Sequence, residues 1–197
     1  MQAGGGDSVL IAPDPGAETL TQPPQAAEDA EALLGAARAM EADTSLLPAR
    51  RLLDETIFAA TFALLGGADV VGRAVRDERD LLSAISLGFP AEVLTALRQA
   101  GFRGEELEAV IGPRRTLARR KADGQRLTAV ESDAAWRLAH LFALAAHVLK
   151  DADVALAWLR RSKTALGDQQ PARVANTSVG TRAAERLLMQ LEWGDVA

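Results

Sequence analysis

The sequence contains no cysteine and no tyrosine, and aromatic residues make up only 4% of it. Without cysteine, disulfides and thiolate metal sites are excluded. Few β-branched runs interrupt a composition dominated by Ala, Leu and Arg, side chains that lose little rotamer freedom in a helix, so an all-α fold is expected. Long hydrophobic runs are also missing. The longest, residues 57–68, falls short of the roughly 20 residues a membrane span needs and is broken by Gly66-Gly67 and Asp69. The start shows no charged region followed by an apolar one, so a cytoplasmic protein with no membrane segment is expected. Asn176-Thr177-Ser178 matches a glycosylation acceptor, a chance match without a secretion signal.

Catalytic equipment is scarce as well. There is no glycine loop to cradle phosphate, and the two histidines, His140 and His147, fall two turns apart on one helix, about 10 Å. That spacing reads as packing or surface rather than a metal or acid/base pair. Ser132, Asp133 and His140 are better explained by a helix start than by a nucleophilic triad. No catalytic residue, cofactor or metal is therefore expected, and the chain reads as a non-enzyme.

What is present is enough apolar content for a core, 48% of 197 residues, with a net charge of -5. That suits one compact unit or two small ones. Residues 1–47 hold eight acids against the single base Arg38, together with Gly4-Gly5-Gly6, Pro13, Pro15 and Pro23-Pro24. Such a segment cannot bury enough apolar surface to offset chain entropy, so an acidic, largely disordered tail is expected, with a marginal helix over 26–42.

From Pro48 the pattern becomes helical. Leu52, Leu53, Ile57, Phe58, Phe62, Leu64 and Leu65 predict a helix ended by Gly66-Gly67, apolar over more than half its circumference and suited to an interior or a dimer contact. Asp69 is expected to cap a short helix holding Val70, Val71, Ala74 and Val75, and residues 76–80 read as a solvated charged turn. Leu81, Leu82, Ile85 and Leu87 predict the next helix. Pro90 opens another, with Val93, Leu94 and Leu97, ended by Gly101.

Two short helices then meet at a tight turn. The first, 105–111, turns Leu107, Val110 and Ile111 inward; Gly112 ends it, and Pro113 starts a strongly basic second helix anchored by Leu117. The pattern fits a helix-turn-helix. No acid lies within the second helix, Asp123 being the first downstream, so its cations cannot all be neutralised locally. Arg114, Arg120, Lys121 and Arg126 are expected to hold DNA phosphates, and Arg115, Thr116 and Arg119 to reach base edges.

Thr128 and Glu131 have the form of a capping box ahead of a long apolar helix over 134–149. A further helix is expected over 153–162, then a turn at Leu166-Gly167, a short helix begun by Pro171, and a last helix capped by Thr181. Ala184, Leu187, Leu188 and Leu191 would face inward on that last helix.

These residues carry a family likeness. Ala157-Trp158-Leu159, Ala165-Leu166-Gly167, Pro171, Gly180 and Leu191-Glu192-Trp193-Gly194 resemble the toxin-binding domain of Xre/MbcA/ParS-type antitoxins. Residues 116–121 and Glu131-Ser132-Asp133 with Arg137-Leu138-Ala139 resemble that family's Xre-like half. The likeness runs over roughly residues 65–197 and rests on several motifs in order. Departures are Asp168 where relatives often have a second glycine, Lys163 where they have asparagine, and Asp195 where they have an apolar or aromatic residue.

The resemblance implies a helical bundle with a tail (1–47), an Xre-like helix-turn-helix domain (48–127) and a toxin-binding domain (128–197). It also implies partners: a RES-domain toxin that consumes NAD or transfers ADP-ribose from it, operator DNA, and a second copy in a homodimer. Trp158, Leu159, Leu166, Glu192, Trp193, Gly194, Asp195, Val196 and Ala197 would bind the toxin, the tail covering its active site. The negative groups of Glu192, Asp195 and the Ala197 carboxylate would suit a site built for a dinucleotide pyrophosphate. The alternative is a stand-alone helix-turn-helix regulator whose carboxy-terminal half dimerises or senses a ligand.

Overall fold

The computed structural model describes residues 47–192, with side chains from Leu53 onward. The expected acidic tail, its helix over 26–42, and Trp193 to Ala197 lie outside the described residues. From Pro48 the chain clusters into one compact unit, helical throughout and without a strand among the described residues. The helices are α1 (Leu47–Leu64), α2 (Gly67–Val71), α3 (Glu78–Leu87), α4 (Val93–Gln99), α5 (Gly104–Val110), α6 (Arg114–Ala122), α7 (Ala129–Leu149), α8 (Ala152–Arg160), α9 (Pro171–Val174) and α10 (Ser178–Glu192). A single 3-10 turn, Thr164–Leu166, lies between α8 and α9.

Helix α7 is the axis on which the rest is assembled. Its capping box forms as the sequence predicts: Thr128 Oγ1 accepts from the Glu131 N–H at 3.2 Å, and the Glu131 carboxylate accepts from the Thr128 N–H at 2.7 Å. The helix therefore begins five residues earlier than its apolar stretch. Leu138, Leu141, Ala139 and Ala145 are fully buried. Helices α8 and α10 pack most extensively on α7, with α3, α4 and α5 also against it. Phe58 of α1 stacks at a tilt on Trp136 with 5.0 Å between centroids, and Phe102 meets Phe142 edge-on at 5.4 Å.

Several local expectations shift. Asp69 lies within α2 rather than before it; Gly66, at φ 91°, occupies the cap, and Ala74 and Val75 fall beyond the helix. Thr177, not Thr181, caps α10, its Oγ1 accepting from the Gly180 N–H at 3.0 Å, while Thr181 is buried one turn inside. Leu191, expected inward, stands 42% exposed, and Leu82 and Leu87, which mark α3 in the sequence, stand 68% and 61% exposed. In α3 the buried position is the small Ala84, so the inward stripe is narrower than its leucines suggest.

Two glycines are set by close approach rather than by flexibility. A Cβ on Gly180 would collide with the Val174 backbone carbonyl, because the end of α9 sits on the first turn of α10. A Cβ on Gly88, at φ 80°, would strike the Leu127 carbonyl.

Candidate functional sites

The basic helix α6 begins at Arg114, with Pro113 in extended conformation just before it. Leu117 is buried at 6% exposure and sets the rotation of the helix. Arg114, Arg115 and Arg119 consequently stand exposed, and Thr116 half-buried. Three other cations bond to groups of the chain itself, Arg120 half-buried and Lys121 and Arg126 exposed. Arg120 Nε lies 3.0 Å from the Glu131 carboxylate, with side chains only 20% and 12% accessible. Arg126 Nε donates to the Gly88 carbonyl at 2.6 Å. Lys121 Nζ donates to Thr95 Oγ1 at 2.7 Å.

The partner for Arg120 comes from eleven residues downstream, across the loop into α7. One glutamate thus completes the capping box of α7 and fixes the last turn of α6. Spacing along the sequence gave no sign of this, since the Asp123-Gly124 turn had to be closed before the two could meet.

A second surface is built from α8, the 3-10 turn and α10. Trp158 is half-buried, and Lys163 Nζ lies over its ring, 4.8 Å from the centroid. Burial, with the Arg161 charge beside it, pulls the Lys163 ammonium below its ordinary range. Leu166 is half-buried on the turn, whereas Leu159 is 1% exposed and belongs to the core, supporting the surface rather than presenting it. The turn is closed by Lys163 N–H to the Gln169 carbonyl and Asp168 N–H to the Lys163 carbonyl, both 3.0 Å. Gly167 and Asp168 are both left-handed, at φ 65° and 59°. Asp168 thus occupies a conformation that glycine adopts without strain.

Glu192 closes the described part of α10 and pairs with Lys150 at 3.9 Å. Gly194, Asp195, Val196, Ala197 and Trp193 lie outside the described residues.

Arg137 and Arg160 hold these parts together. Arg137 pairs with Asp133 and donates to the carbonyls of Ala175 and Asn176, both at 3.0 Å, satisfying the end of α9 from α7. Arg160 at the end of α8 grips Glu106 of α5 at 2.6 and 3.1 Å and donates to the Gly101 carbonyl at 2.8 Å. It clamps the second surface to the first helix of the turn motif. In the sequence Arg160 is simply a cation in the last turn of its helix, where it suits the helix dipole, and nothing in its spacing points to Glu106.

Ser132, Asp133 and His140 each have a separate partner. Ser132 is fully buried and its Oγ accepts from the Phe89 N–H at 2.7 Å; Asp133 is engaged by Arg137. His140 points to α1 and α10, with Nδ1 3.4 Å from Thr61 Oγ1 and Nε2 3.5 Å from Glu185. The Thr61 hydroxyl already donates to the Ile57 carbonyl at 2.6 Å, so toward Nδ1 it can only accept. Burial pushes the imidazole below its ordinary value, against the opposing pull of the Glu185 and Asp54 charges. Among the described residues no group of three or more His, Asp or Glu is placed to hold a metal. No helix there is long and apolar enough to cross a membrane.

Comparison with known proteins falls on the same two surfaces. The model of the antitoxin Xre-like helix-turn-helix domain matches residues 80–140. That of the antitoxin Xre/MbcA/ParS C-terminal toxin-binding domain matches residues 144–194. The two matches adjoin inside α7, so one helix serves both halves. A relative described as "Antitoxin Xre", from Pseudomonas putida, is 33% identical over 115 residues, covering 58% of this chain and 72% of the relative.

Proposed function

The chain belongs to the Xre/MbcA/ParS-type antitoxins, and on that premise we propose that it neutralises a RES-domain toxin, one that degrades NAD or transfers ADP-ribose from it. The observation that carries this reading is the order and adjacency of the two family domains within one compact unit. The toxin-facing surface is the Trp158–Lys163 pair, Leu166 and Glu192, continued by Trp193 to Ala197, whose acids would compete for the cationic groups of a pyrophosphate site. Trp193 would supply apolar contact at the centre of that interface.

The second activity is repression of its own operon. Exposed Arg115 and Arg119, with Thr116 between them on α6, are the base-reading candidates, and Arg114 and Lys121 the phosphate contacts. Arg120, bonded to Glu131, acts by positioning α6 rather than by touching DNA, and Arg126, bonded to the Gly88 carbonyl, ties the loop after α6 to the end of α3. A homodimer would place two such helices on a palindromic site.

Deletion of residues 193–197 tests the toxin reading. Cells expressing the cognate toxin should lose protection while the truncated protein keeps its melting temperature; full protection would remove the tail from the mechanism.

A further inference from the structure

Two of the grooves on the described residues are lined by charged side chains. The larger, about 880 Å³, lies between α1 and the segment before α3, and its lining includes Asp54, Glu55, Asp77 and Glu78 together with Arg76 and Arg79. Both signs are present, so it selects no class of ligand. The smaller, about 330 Å³, lies between α4, α5 and α6. Leu94, Leu107 and Leu117 give it an apolar wall; Arg98, Arg114 and Lys121 also line it, and no acid does.

No carboxylate in the groove lining answers these cations. Among the described residues the one hydrogen bond these cations make is from Lys121 to the neutral hydroxyl of Thr95, which joins α6 to α4. Arg98 and Arg114 are exposed. Like charges gathered beside a low-dielectric wall focus a positive potential that an anion relieves. A simple inorganic anion would leave the leucine wall unused, and an uncharged apolar ligand would leave three cations unanswered. A polymer that alternates phosphate with an apolar sugar face uses both.

We propose that the groove between α4, α5 and α6 seats the sugar–phosphate backbone of one DNA strand, with Arg98 of α4 as a phosphate contact supplied from outside the turn motif. The proposal rests on the DNA-binding reading given above and extends its footprint from α6 to α4. Arg114 and Lys121 then hold the same strand whose bases Arg115 and Arg119 reach, and Lys121 exchanges its bond to Thr95 for a phosphate. A contact of this kind adds affinity and salt dependence to every sequence alike.

Fluorescence anisotropy on the full chain tests it, using a duplex from the region upstream of its own reading frame and an unrelated duplex of equal length. Arg98→Gln should weaken both by a similar factor, about eight-fold at about 0.1 M salt, and lower the log–log salt slope by about one. Arg98→Lys should retain the slope, because a phosphate contact needs charge more than a planar fork. Arg182→Gln, an exposed arginine of α10, serves as the control for loss of any surface cation. Unchanged affinity and slope in Arg98→Gln, with Arg119→Ala still weakening the upstream duplex, would overturn the groove and leave the DNA reading standing. Absence of salt-dependent binding by the unaltered chain would overturn both. An equal loss in the Gln and Lys variants with a lowered melting temperature would make Arg98 structural and likewise overturn the proposal.

Discussion

Replacing Arg160 by Ala is the sharpest structural test of how the two functional surfaces are joined. The change removes both bonds to Glu106 and the bond to the Gly101 carbonyl. An exposed ion pair contributes roughly 0–1 kcal/mol, and breaking a fully buried one costs roughly 3–5 kcal/mol. Arg160 and Glu106 are 27% and 12% accessible, between those limits, so about 2 kcal/mol is expected. For a chain of this size that lowers the melting temperature by about 6 °C, at about 3 °C per kcal/mol.

The assay is thermal and urea unfolding of the variant, of Glu106→Gln, and of the double variant Glu106→Gln with Arg160→Met. The double variant removes the charge that Arg160→Ala leaves stranded and should recover most of the loss. The pH dependence supplies a second check. Burial alone would raise the Glu106 carboxyl, but the bonds from Arg160 and the Arg103 N–H and the two arginine charges outweigh it, leaving it below 4.5. A depressed carboxyl stabilises the fold above its unfolded value and loses that contribution as pH falls through the folded one. The Arg160→Ala loss should therefore be constant from neutral pH to about 5 and shrink below 4.5. A loss under about 0.5 kcal/mol, the scale of an exposed pair, would refute the clamp.

Three further outcomes are expected. Gly180→Ala should cost about 3 kcal/mol, read by urea unfolding, because the obstacle is the Val174 backbone carbonyl rather than a movable side chain. Asp168→Gly should raise stability by about 1 kcal/mol, since it relieves a left-handed non-glycine residue at φ 59°. His140, held below 6.5 by burial, takes up its proton in the unfolded chain first, so the melting temperature should fall as pH drops from about 6.5 toward 5. His140→Gln should flatten that segment of the profile; an unchanged slope would mean another group titrates there.

Much of this molecule is readable from the sequence, for reasons visible in its residues. Helix identity follows from period and caps: Thr128 and Glu131 announce α7, and Gly112-Pro113 separates α5 from α6. The motifs near the carboxy terminus read correctly because their glycines and prolines answer local backbone demands, Gly167 a left-handed turn and Pro171 a first helical position. Side-chain pairing was not legible. Nothing in the spacing of Arg120 and Glu131, Arg160 and Glu106, or His140 and Glu185 brings them together; only the packing of separate helices on α7 does. The same packing decides which arginines of α6 remain free, so the sequence named a basic block where the structure divides it into three exposed guanidiniums and one held by Glu131. The expected inward face of α10 erred at Leu191 for a related reason, the helix burying the small Ala184 instead, and in α3 Leu82 and Leu87 are likewise exposed around a buried Ala84.

On the function proposed above, this antitoxin acts on an NAD-consuming partner through its carboxy-terminal surface. That function is tested most directly by following NAD consumption by a purified cognate RES-domain toxin while the full chain is titrated in. The account predicts that consumption stops at a fixed molar ratio and is restored when residues 193–197 are absent. Undiminished NAD consumption in the presence of a formed complex would contradict it.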